Sequence, residues 1–336
     1  PSDARSVALV VLRDLDDDST FLQFELDKAV KLARLDDRDR RLAWTLVLGT
    51  ARWLSHLDAL IEPFLRKRRL DQLEPDVLMI LRLAVFQFRF MDRIPEHAIV
   101  NSSVNLTKRF VGPRATGFIN GLLRNMIRNP KDVSFSDSED GIARRYGHPT
   151  WLVRKYLDWM SESTVDERCR LNNEPAPLTI RVQKNLIEEV VTSLTEDGAT
   201  VSKCDIAPLG FQVSNHPDPF GSRSFKENQW TVQDEASQLV VDLLEVKPGV
   251  RVWDACAAPG GKSSYISELI ADTGQLLATD INEAKVIELN QRIGRDQVTV
   301  KQHDATTPID QTFDRVLLDA PCTALGLIRR HPEIRW

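Results

Sequence analysis

The sequence predicts a multidomain protein with an all-α amino-terminal domain, a small α/β module and a Rossmann-like α/β domain. Three observations indicate this architecture. Apolar residues recur at helical spacing over residues 4–128. A polar stretch, residues 131–141, then interrupts the pattern. Between residues 250 and 319, four short apolar strands each end at or near an aspartate, as in an open α/β sheet.

The amino-terminal helices follow from the spacing of apolar side chains and from helix-start signals. In the first helix, Val7 and Val11 lie on one face. Asp36 or Asp37 is predicted to cap the third helix, and Pro75 suits a first turn, where its missing N–H costs little. The predicted helices cover residues 4–15, 21–33, 37–53, 56–65, 75–90, 96–110 and 114–128.

Residues 142–228 are predicted to form a helix followed by the small α/β module. In the helix, residues 150–160, Trp151 and Trp159 are expected in the core, and His148 is expected in the preceding turn. The module is predicted as a strand, a helix and one or two further strands, over residues 178–182, 186–194 and 199–213.

The most informative stretch is VRVWDACAAPGGK, residues 250–262. It predicts a buried strand, a loop of small residues and a helix that begins near Lys262. Gly260 and Gly261 allow positive φ and a close approach of the backbone to a ligand. A loop between a strand's carboxyl end and a helix's amino end is where open α/β sheets bind ligands, and its free N–H groups favour acceptors or negative charge.

Three further strands are predicted over residues 275–280, 298–302 and 313–318, with a helix over residues 283–294. With the first strand they place Asp254, Asp280, Asp304 and Asp319 at one edge of the sheet, which indicates a nucleoside site. An acid at the end of the second strand can accept hydrogen bonds from ribose hydroxyls. The dinucleotide pattern GxGxxG is absent, which disfavours an NAD domain.

Composition sets broad limits on function. The net charge of −5 divides unevenly: residues 1–130 contain 21 Lys+Arg against 17 Asp+Glu, and residues 131–336 contain 23 against 32. The amino-terminal part is therefore the more basic part.

Four separated cysteines without a CxxC pair argue against zinc and disulfides and suit a reducing cytoplasm. No membrane-length apolar run or signal-peptide form is seen, so no membrane partner is expected.

Several basic clusters are candidates for contacts with nucleic-acid phosphates, which Arg and Lys can neutralise without reading sequence. A solvated charged face is the alternative for each of them. The candidates are Arg66, Lys67, Arg68 and Arg69, then Lys108, Arg109 and Arg114, then Arg124 and Arg128, and finally Arg329 and Arg330.

Three motifs, DACAAPGGK (254–262), LLDAPCTALG (317–326) and RRHPEIRW (329–336), resemble the Fmu/Sun-type 16S ribosomal RNA cytosine-5 methyltransferases. The resemblance covers nearly the whole chain. It implies a NusB-like RNA-binding domain (1–130), a linker (131–141), a helical and RRM-like module (142–228) and part of a class I S-adenosylmethionine (SAM) methyltransferase domain (229–336). It also implies a monomer that acts on small-subunit ribosomal RNA without a metal.

The same resemblance assigns the cofactor site. Cys256, Ala257, Ala258, Pro259, Gly260, Gly261 and Lys262 would wrap the methionine and ribose part of SAM. Asp280 would hold the ribose hydroxyls, and Asp304 would lie near the adenine. Asp319 would lie close to both the methyl donor and the cytosine.

Cytosine carbon 5 is a poor nucleophile, and a thiolate that adds at carbon 6 activates it. Asp319 and Cys322 provide a carboxyl group and a thiol on one loop, and the target base must be unstacked to reach them. From the residues alone, Cys322 is a candidate nucleophile. The resemblance instead gives Cys322 a role in product release and places the nucleophilic cysteine on a later strand, which we expect beyond Trp336.

Two other functions compete with this hypothesis. One is a SAM-dependent methyltransferase that acts on another RNA position or on a nitrogen; Cys322 and the lack of an aromatic loop end argue against it. The other is a NusB-like RNA-binding protein with an inactive methyltransferase domain. The intact glycines and the four strand-end acids argue against inactivity.

Overall fold

The computed structural model describes residues 3–13, 15, 21–66 and 68–336. The chain divides into two compact units. Unit one comprises residues 1–176 together with residues 323–336, and unit two comprises residues 177–322. Each unit has its own hydrophobic core.

The described residues of unit one form ten α-helices. Most follow the apolar spacing of the sequence, and two of them, α5 and α6, have the predicted bounds. Asp36 caps α3 by accepting a hydrogen bond from the Asp39 N–H at 2.7 Å. The helices are α1 (Ala4–Arg13), α2 (Leu22–Ala33), α3 (Asp37–Arg52), α4 (Leu54–Ile61), α5 (Pro75–Phe90), α6 (Glu96–Phe110), α7 (Pro113–Arg128), α8 (Glu139–Tyr146), α9 (Thr150–Leu157) and α10 (Glu162–Leu171).

Helices α1–α7 surround one core, in which side chains such as Leu9, Leu46, Ile80 and Ile119 are fully buried. Helices α8–α10 form a second, smaller core. Their starts are fixed by local chemistry: Ser138 and Ser161 accept hydrogen bonds from main-chain N–H groups of α8 and α10. Neither α8 nor α10 was predicted, because both sequences are dominated by charged side chains.

The prediction that Trp151 and Trp159 are core residues is wrong. Their side chains are 51% and 66% exposed. Helix α9 buries Leu152, Val153 and Tyr156 instead, so Trp151 lies on its outer side, and Trp159 lies in the turn that follows the helix. His148, predicted in a turn, is buried between α8 and α9, and its Nδ1 contacts the Tyr146 carbonyl at 2.8 Å.

Adjacent substitutions in α9 test this orientation. Leu152→Ala should lower the free energy of unfolding by about 2–5 kcal/mol, because it leaves a cavity in the small core. Trp151→Gln should change it by less than about 0.5 kcal/mol, because the ring is half exposed. Chemical denaturation of both variants measures the difference. A larger loss for Trp151→Gln than for Leu152→Ala would contradict the observed face of α9.

Unit two begins with an antiparallel sheet that confirms the small α/β module. The sheet has the strand order β2-β3-β1-β4. The first strand has the predicted bounds; β4 and α12 were not predicted. The strands are β1 (Leu178–Val182), β2 (Thr200–Lys203), β3 (Gly210–Ser214) and β4 (Trp230–Val232), and the helices are α11 (Ile187–Glu196), α12 (Arg223–Lys226) and α13 (Glu235–Asp242).

The second sheet of unit two is fully parallel, with the order β7-β6-β5-β8 in the described residues. Its strands are β5 (Arg251–Asp254), β6 (Gln275–Asp280), β7 (Val298–Gln302) and β8 (Arg315–Leu317), and its helices are α14 (Gly261–Leu269) and α15 (Glu283–Ile293). Strands β6 and β7 have the predicted bounds. Strand β8 is shorter than the predicted 313–318, since β5, its hydrogen-bonded neighbour, has only four residues.

Among the described residues, no helix combines the length and apolar character needed to cross a membrane. The same residues hold no group of three His, Cys, Asp or Glu side chains arranged to bind a metal ion.

Candidate cofactor and active site

The parallel register brings the predicted acids to one edge of the sheet. Asp254 and Asp280 are the last residues of β5 and β6. Asp304 follows the end of β7 by two residues, and Asp319 follows the end of β8 by two residues. Because all four strands run in the same direction, their carboxyl ends meet at this edge.

The glycine loop connects β5 to α14 at the centre of this edge. The Ala257 N–H donates to the Thr279 carbonyl at 2.8 Å, which attaches the loop to β6. Gly260 has φ +99°, and a Cβ added there would come within 2.6 Å of Leu289 Cδ1. At Gly261, by contrast, an added Cβ would meet no heavy atom within 4 Å. Packing therefore explains Gly260 but not Gly261, which begins α14.

Asp280 lies where a ribose-binding acid was predicted. Its Oδ2 accepts a hydrogen bond from the Ala258 N–H at 3.3 Å, and its Oδ1 accepts one from the Asn282 N–H at 3.0 Å. These two bonds fix the carboxylate against the glycine loop. Each carboxylate oxygen has a further lone pair, so Asp280 can still accept from a hydroxyl group.

An ion pair joins the glycine loop to the loop after β8. Lys262 Nζ donates to Asp319 Oδ2. The lysine side chain is 20% exposed, whereas the Asp319 side chain is 54% exposed. Asp319 therefore keeps an accessible carboxylate edge while its position is fixed by a partly buried cation. The two predicted motifs, 254–262 and 317–326, thus meet in the folded protein.

Asp254 is buried beneath these groups and accepts a hydrogen bond from Ser263 Oγ at 2.6 Å. Burial raises the pKa of Asp254 to about 6, and the nearby carboxylates of Asp319 and Asp280 act in the same direction. The Ser263 hydrogen bond and the Lys262 charge oppose this shift. Asp254 is therefore a structural carboxyl group beneath the site, whereas Asp280 and Asp319 lie closer to solvent.

The other predicted site residues have different surroundings. Asp304 Oδ1 accepts hydrogen bonds from Thr306 N–H at 2.9 Å and Oγ1 at 2.7 Å, and these bonds lower its pKa. Cys256 is half-buried, and burial, with Asp280, Asp254 and Asp319 nearby, raises the pKa of its thiol. Cys322 is exposed, as a thiol that reacts with a substrate must be.

Helix α14 is held in place by polar contacts that the sequence did not reveal. Arg181 of β1 is buried, and its guanidinium lies 4.5 Å from the centroid of the Tyr265 ring. Its Nη2 donates a hydrogen bond to Glu268 Oε1 at 3.0 Å. Its Nε donates to Gln233 Oε1 at 2.8 Å. Tyr265 Oη donates to Asp242 at 2.6 Å. The small sheet and α13 thereby fix the helix whose first turn faces the site.

Ser263 and Arg181 are thus site-supporting residues outside the predicted set, and Asp254, predicted as a strand-end acid, supports the site from beneath. Asp254 had a sequence signal, since it ends a strand directly before the small-residue loop. Ser263 follows Lys262 in the same motif. Arg181 had no signal, because its partners Gln233 and Glu268 are 52 and 87 residues away in the sequence.

The described basic candidates in unit one are exposed, and several of them have partners. Arg68 stacks on the Phe118 ring at 5.1 Å, and Arg69 Nη2 pairs with Asp71 at 2.7 Å. Arg66 and Lys108 are exposed, and Arg109 lies 5.2 Å from the Phe110 ring centroid. Lys67 lies outside the described residues. Contact with RNA stays a prediction for all of these residues.

Arg329 and Arg330 belong to the segment 323–336. Arg329 donates to the carbonyl oxygens of Glu174 at 3.2 Å and Pro175 at 2.9 Å. The Arg330 carbonyl accepts a hydrogen bond from Gln23 Nε2 at 2.9 Å. Their predicted role in RNA binding is likewise untested.

Comparison with known proteins agrees with this architecture. The chain is 31% identical to the probable ribosomal RNA small subunit methyltransferase B of Bacillus subtilis, over 99% of this chain and 76% of that protein. The family model for 16S rRNA methyltransferase RsmB/F matches residues 241–336. The chain belongs to the RsmB/F family of 16S rRNA methyltransferases. This confirms the family that the sequence motifs indicated.

Other RsmB/F relatives and domains support the assignment. The NusB family model matches residues 2–128, and an RsmF/B-like ferredoxin-like domain matches residues 148–218. Ribosomal RNA small subunit methyltransferase B of Pseudomonas putida is 34% identical over 91% of this chain and 71% of its own length. The crystal structure of PH0851 aligns over 98% of this chain and 76% of its own, with a TM-score of 0.74 and 25% identity.

The two loop glycines should respond differently to substitution. Gly260→Ala should lower the free energy of unfolding by about 1–3 kcal/mol, because its backbone conformation and the Leu289 contact both oppose a Cβ. Gly261→Ala should change it by less than about 0.5 kcal/mol. Denaturation curves of the two variants provide the test. Equal losses would mean that packing, and not ligand access, explains both glycines.

The raised pKa of Asp254 predicts a pH-dependent stability. Between about pH 4 and pH 6 the unfolded chain releases this proton while the folded protein retains it, so stability falls as pH rises. Over this range the free energy of unfolding of the wild type should fall by about 2–3 kcal/mol relative to that of Asp254→Asn. Unfolding measured at pH 4 and pH 7 tests this. If the free energies of unfolding of the two proteins differed by the same amount at pH 4 and pH 7, Asp254 would have an ordinary pKa.

Proposed function

We propose that this protein transfers a methyl group from SAM to carbon 5 of a specific cytosine in small-subunit ribosomal RNA. One observation carries the proposal. The Lys262–Asp319 ion pair joins the glycine loop to the loop that bears Cys322, so the groups suited to the methyl donor and to the base belong to one site. A nitrogen methyltransferase needs no thiol at this position.

The residues present fit SAM. The first-turn N–H groups of α14 lack intrahelical partners and suit an acceptor such as the amino-acid carboxylate. Gly261 has open space at that helix start, and Asp280 has lone pairs for ribose hydroxyls. Asp304, already bonded to Thr306, would contact the adenine side through its remaining oxygen. When bound, SAM supplies an electrophilic methyl group on a sulfonium.

The side chains can then be given chemical roles. A thiolate that adds to cytosine carbon 6 would make carbon 5 nucleophilic. The electron pair of the 5,6-double bond would then form the bond from carbon 5 to the methyl carbon, while the carbon–sulfur bond of the sulfonium breaks and S-adenosylhomocysteine leaves. Asp319 would hydrogen-bond the ring nitrogen and stabilise this adduct. A base then removes the carbon-5 proton, the thiolate leaves, and the double bond is restored.

The burial of the cysteines limits which thiols can take part. Cys169 and Cys204 are buried, and burial raises the pKa of both thiols, that of Cys169 to about 12. Cys256 lies in the glycine loop, where the cofactor is expected. Cys322 is the exposed cysteine and lies three residues from Asp319. We assign Cys322 to product release, as the family resemblance implies, and expect a second cysteine to be the nucleophile.

The proposal is tested by transfer from methyl-labelled SAM to unmodified small-subunit ribosomal RNA, with protein expressed from the complete gene. Nucleoside analysis should find the label in 5-methylcytidine. Label in another nucleoside would contradict the cytosine chemistry. Binding of SAM without transfer to this RNA would favour an RNA-binding protein with an inactive domain.

A Cys322→Ala variant separates the two roles of this thiol. If Cys322 only assists release, the variant should accumulate a covalent protein–RNA adduct that denaturing gel electrophoresis detects. If Cys322 is the nucleophile, neither adduct nor product should form. A Cys204→Ala variant, which removes a buried thiol far along the chain from the loop, should behave as wild type.

Replacing Asp280 tests the cofactor site directly. Asp280→Asn should weaken SAM binding by about 10- to 100-fold, because a hydrogen bond to a charged acceptor contributes about 1.5–3 kcal/mol. Isothermal titration calorimetry measures the affinity. Asp296→Asn, which alters an exposed acid, is the matched control. Equal affinities of the two variants would remove Asp280 from the site.

A further inference from the structure

The first strand of the small antiparallel sheet has two different faces. In LTIRV, residues 178–182, Ile180 and Val182 lie in the core that the sheet shares with α11. Thr179 and Arg181 alternate with them, so their side chains point to the opposite face. That face is polar, yet Thr179 and Arg181 are only 3% and 2% exposed. Buried polar groups need hydrogen-bond partners, and the partners of Arg181 identify what covers this face.

Arg181 holds α14, the helix that follows the glycine loop. Its Nη1 and Nη2 donate to the two carboxylate oxygens of Glu268, and its guanidinium lies over the Tyr265 ring. A fork of two parallel hydrogen bonds fixes direction as well as distance. All of these residues belong to unit two. The second half of α14 is therefore fixed relative to the small sheet.

Arg292 of α15 makes a second connection from the same face of the sheet. Thr231 of β4 is directly opposite Arg181, so both side chains point to this face. Arg292 Nη2 donates to Thr231 Oγ1 at 3.3 Å, and its Nη1 donates to the Pro259 carbonyl at 3.2 Å. Because Pro259 belongs to the glycine loop, one guanidinium joins the small sheet to the loop itself.

The two connections lie on either side of the start of α14. One holds the loop at Pro259, and the other holds the helix at Tyr265 and Glu268. Between them lie residues 260–263, the stretch against which the amino-acid part of SAM is proposed to bind. Because α14 has nine residues and a length of about 14 Å, a tilt or rotation of its second half also displaces its first turn.

The pair of Arg181 with Glu268 is a poor way to gain stability. The Arg181 side chain is 2% exposed and that of Glu268 is 20% exposed, so both charges give up most of their contact with water. Replacing a buried ion pair by apolar residues of similar size is often neutral or stabilising. The directional bonds of the pair instead specify one arrangement of α14 against the sheet. These properties favour a role in geometry over a role in stability.

We propose that Arg181 and Arg292 are positioning residues for the cofactor site, through which the small sheet fixes the glycine loop and α14. Neither arginine needs to touch SAM for this role. The effect on SAM binding rests on the proposed function; the ordering of the loop and helix does not.

Four variants remove or modify the two connections. Arg181→Met removes the donors while filling the space, and Arg181→Lys keeps the charge and part of the bonding. The double variant Arg181→Met with Glu268→Leu removes both members of the ion pair, so it leaves no unpaired charge and keeps a folded protein testable. Arg292→Met removes the second connection alone.

Two control variants change the small module elsewhere. Arg223→Met removes an exposed arginine that pairs with Glu227, and Val190→Ala weakens the core beneath the sheet. Calorimetry measures the affinity for SAM, steady-state kinetics with small-subunit RNA measure kcat and KM, and hydrogen–deuterium exchange without SAM reports the order of residues 255–269. All measurements are made well below the unfolding temperature of each variant.

Arg181→Met should speed exchange in residues 261–269 and weaken SAM binding by about tenfold, as when residues that orient metal ligands are replaced. Arg292→Met should weaken SAM binding by about threefold, because its hydrogen bonds are exposed. The loss should appear in the KM for SAM more than in kcat, since Asp319 and Cys322 lie on another loop. Arg181→Lys should recover part of the affinity, and both control variants should stay within about twofold of wild type.

Three results would overturn the proposal. One is unchanged exchange in residues 261–269 of Arg181→Met. Another is an equal loss of SAM affinity in Val190→Ala, which would mean that any weakening of the module has this effect. The third is wild-type affinity in the double variant, which would trace the loss in Arg181→Met to the unpaired charge of Glu268.

The two proposals fail in different ways. If wild-type protein binds no SAM, the proposed function fails, while the exchange measurement still decides whether Arg181 orders α14. If wild-type protein forms 5-methylcytidine and Arg181→Met retains both its SAM affinity and its helix protection, the function stands and the positioning role is rejected.

Discussion

The parallel pairing of β5 with β6 and β8 is the constraint on which the candidate site depends. Asp254 is opposite Ala278 on one side and Leu317 on the other, so β5 and β8 end at the same level and β6 extends two residues further, to Asp280. This register places Asp280 beside the glycine loop and brings Asp319 within reach of Lys262. A slip of one residue would turn each strand-end carboxylate toward the opposite face of the sheet.

The carboxylates at this edge have distinct environments, and the differences suit distinct roles. Asp254 is buried and bonded to Ser263, so it supports the loop from below. Asp280 is fixed by two main-chain N–H groups, and Asp319 is paired with a lysine but half exposed. One edge of the sheet therefore offers a rigid acceptor, as the proposed contact with ribose requires, and a more accessible acid three residues before Cys322.

Much of this arrangement could be predicted from local sequence. The bounds of α5, β6 and β7 follow from apolar periodicity, and the meeting of the glycine loop with the loop after β8 follows from strand-end signals. Helix α10 was missed because its few apolar residues give no clear period. The outward orientation of Trp151 and the buried contacts of Arg181 depend on residues far away in the chain, so no local pattern reveals them.

The most direct test of the account is a crystal structure of the protein with S-adenosylhomocysteine bound. We expect the ribose within hydrogen-bond distance of Asp280, the amino-acid part along residues 256–262 at the start of α14, and the sulfur facing Asp319. A ligand bound elsewhere on unit two, or bound here without contact to Asp280 and the glycine loop, would contradict it.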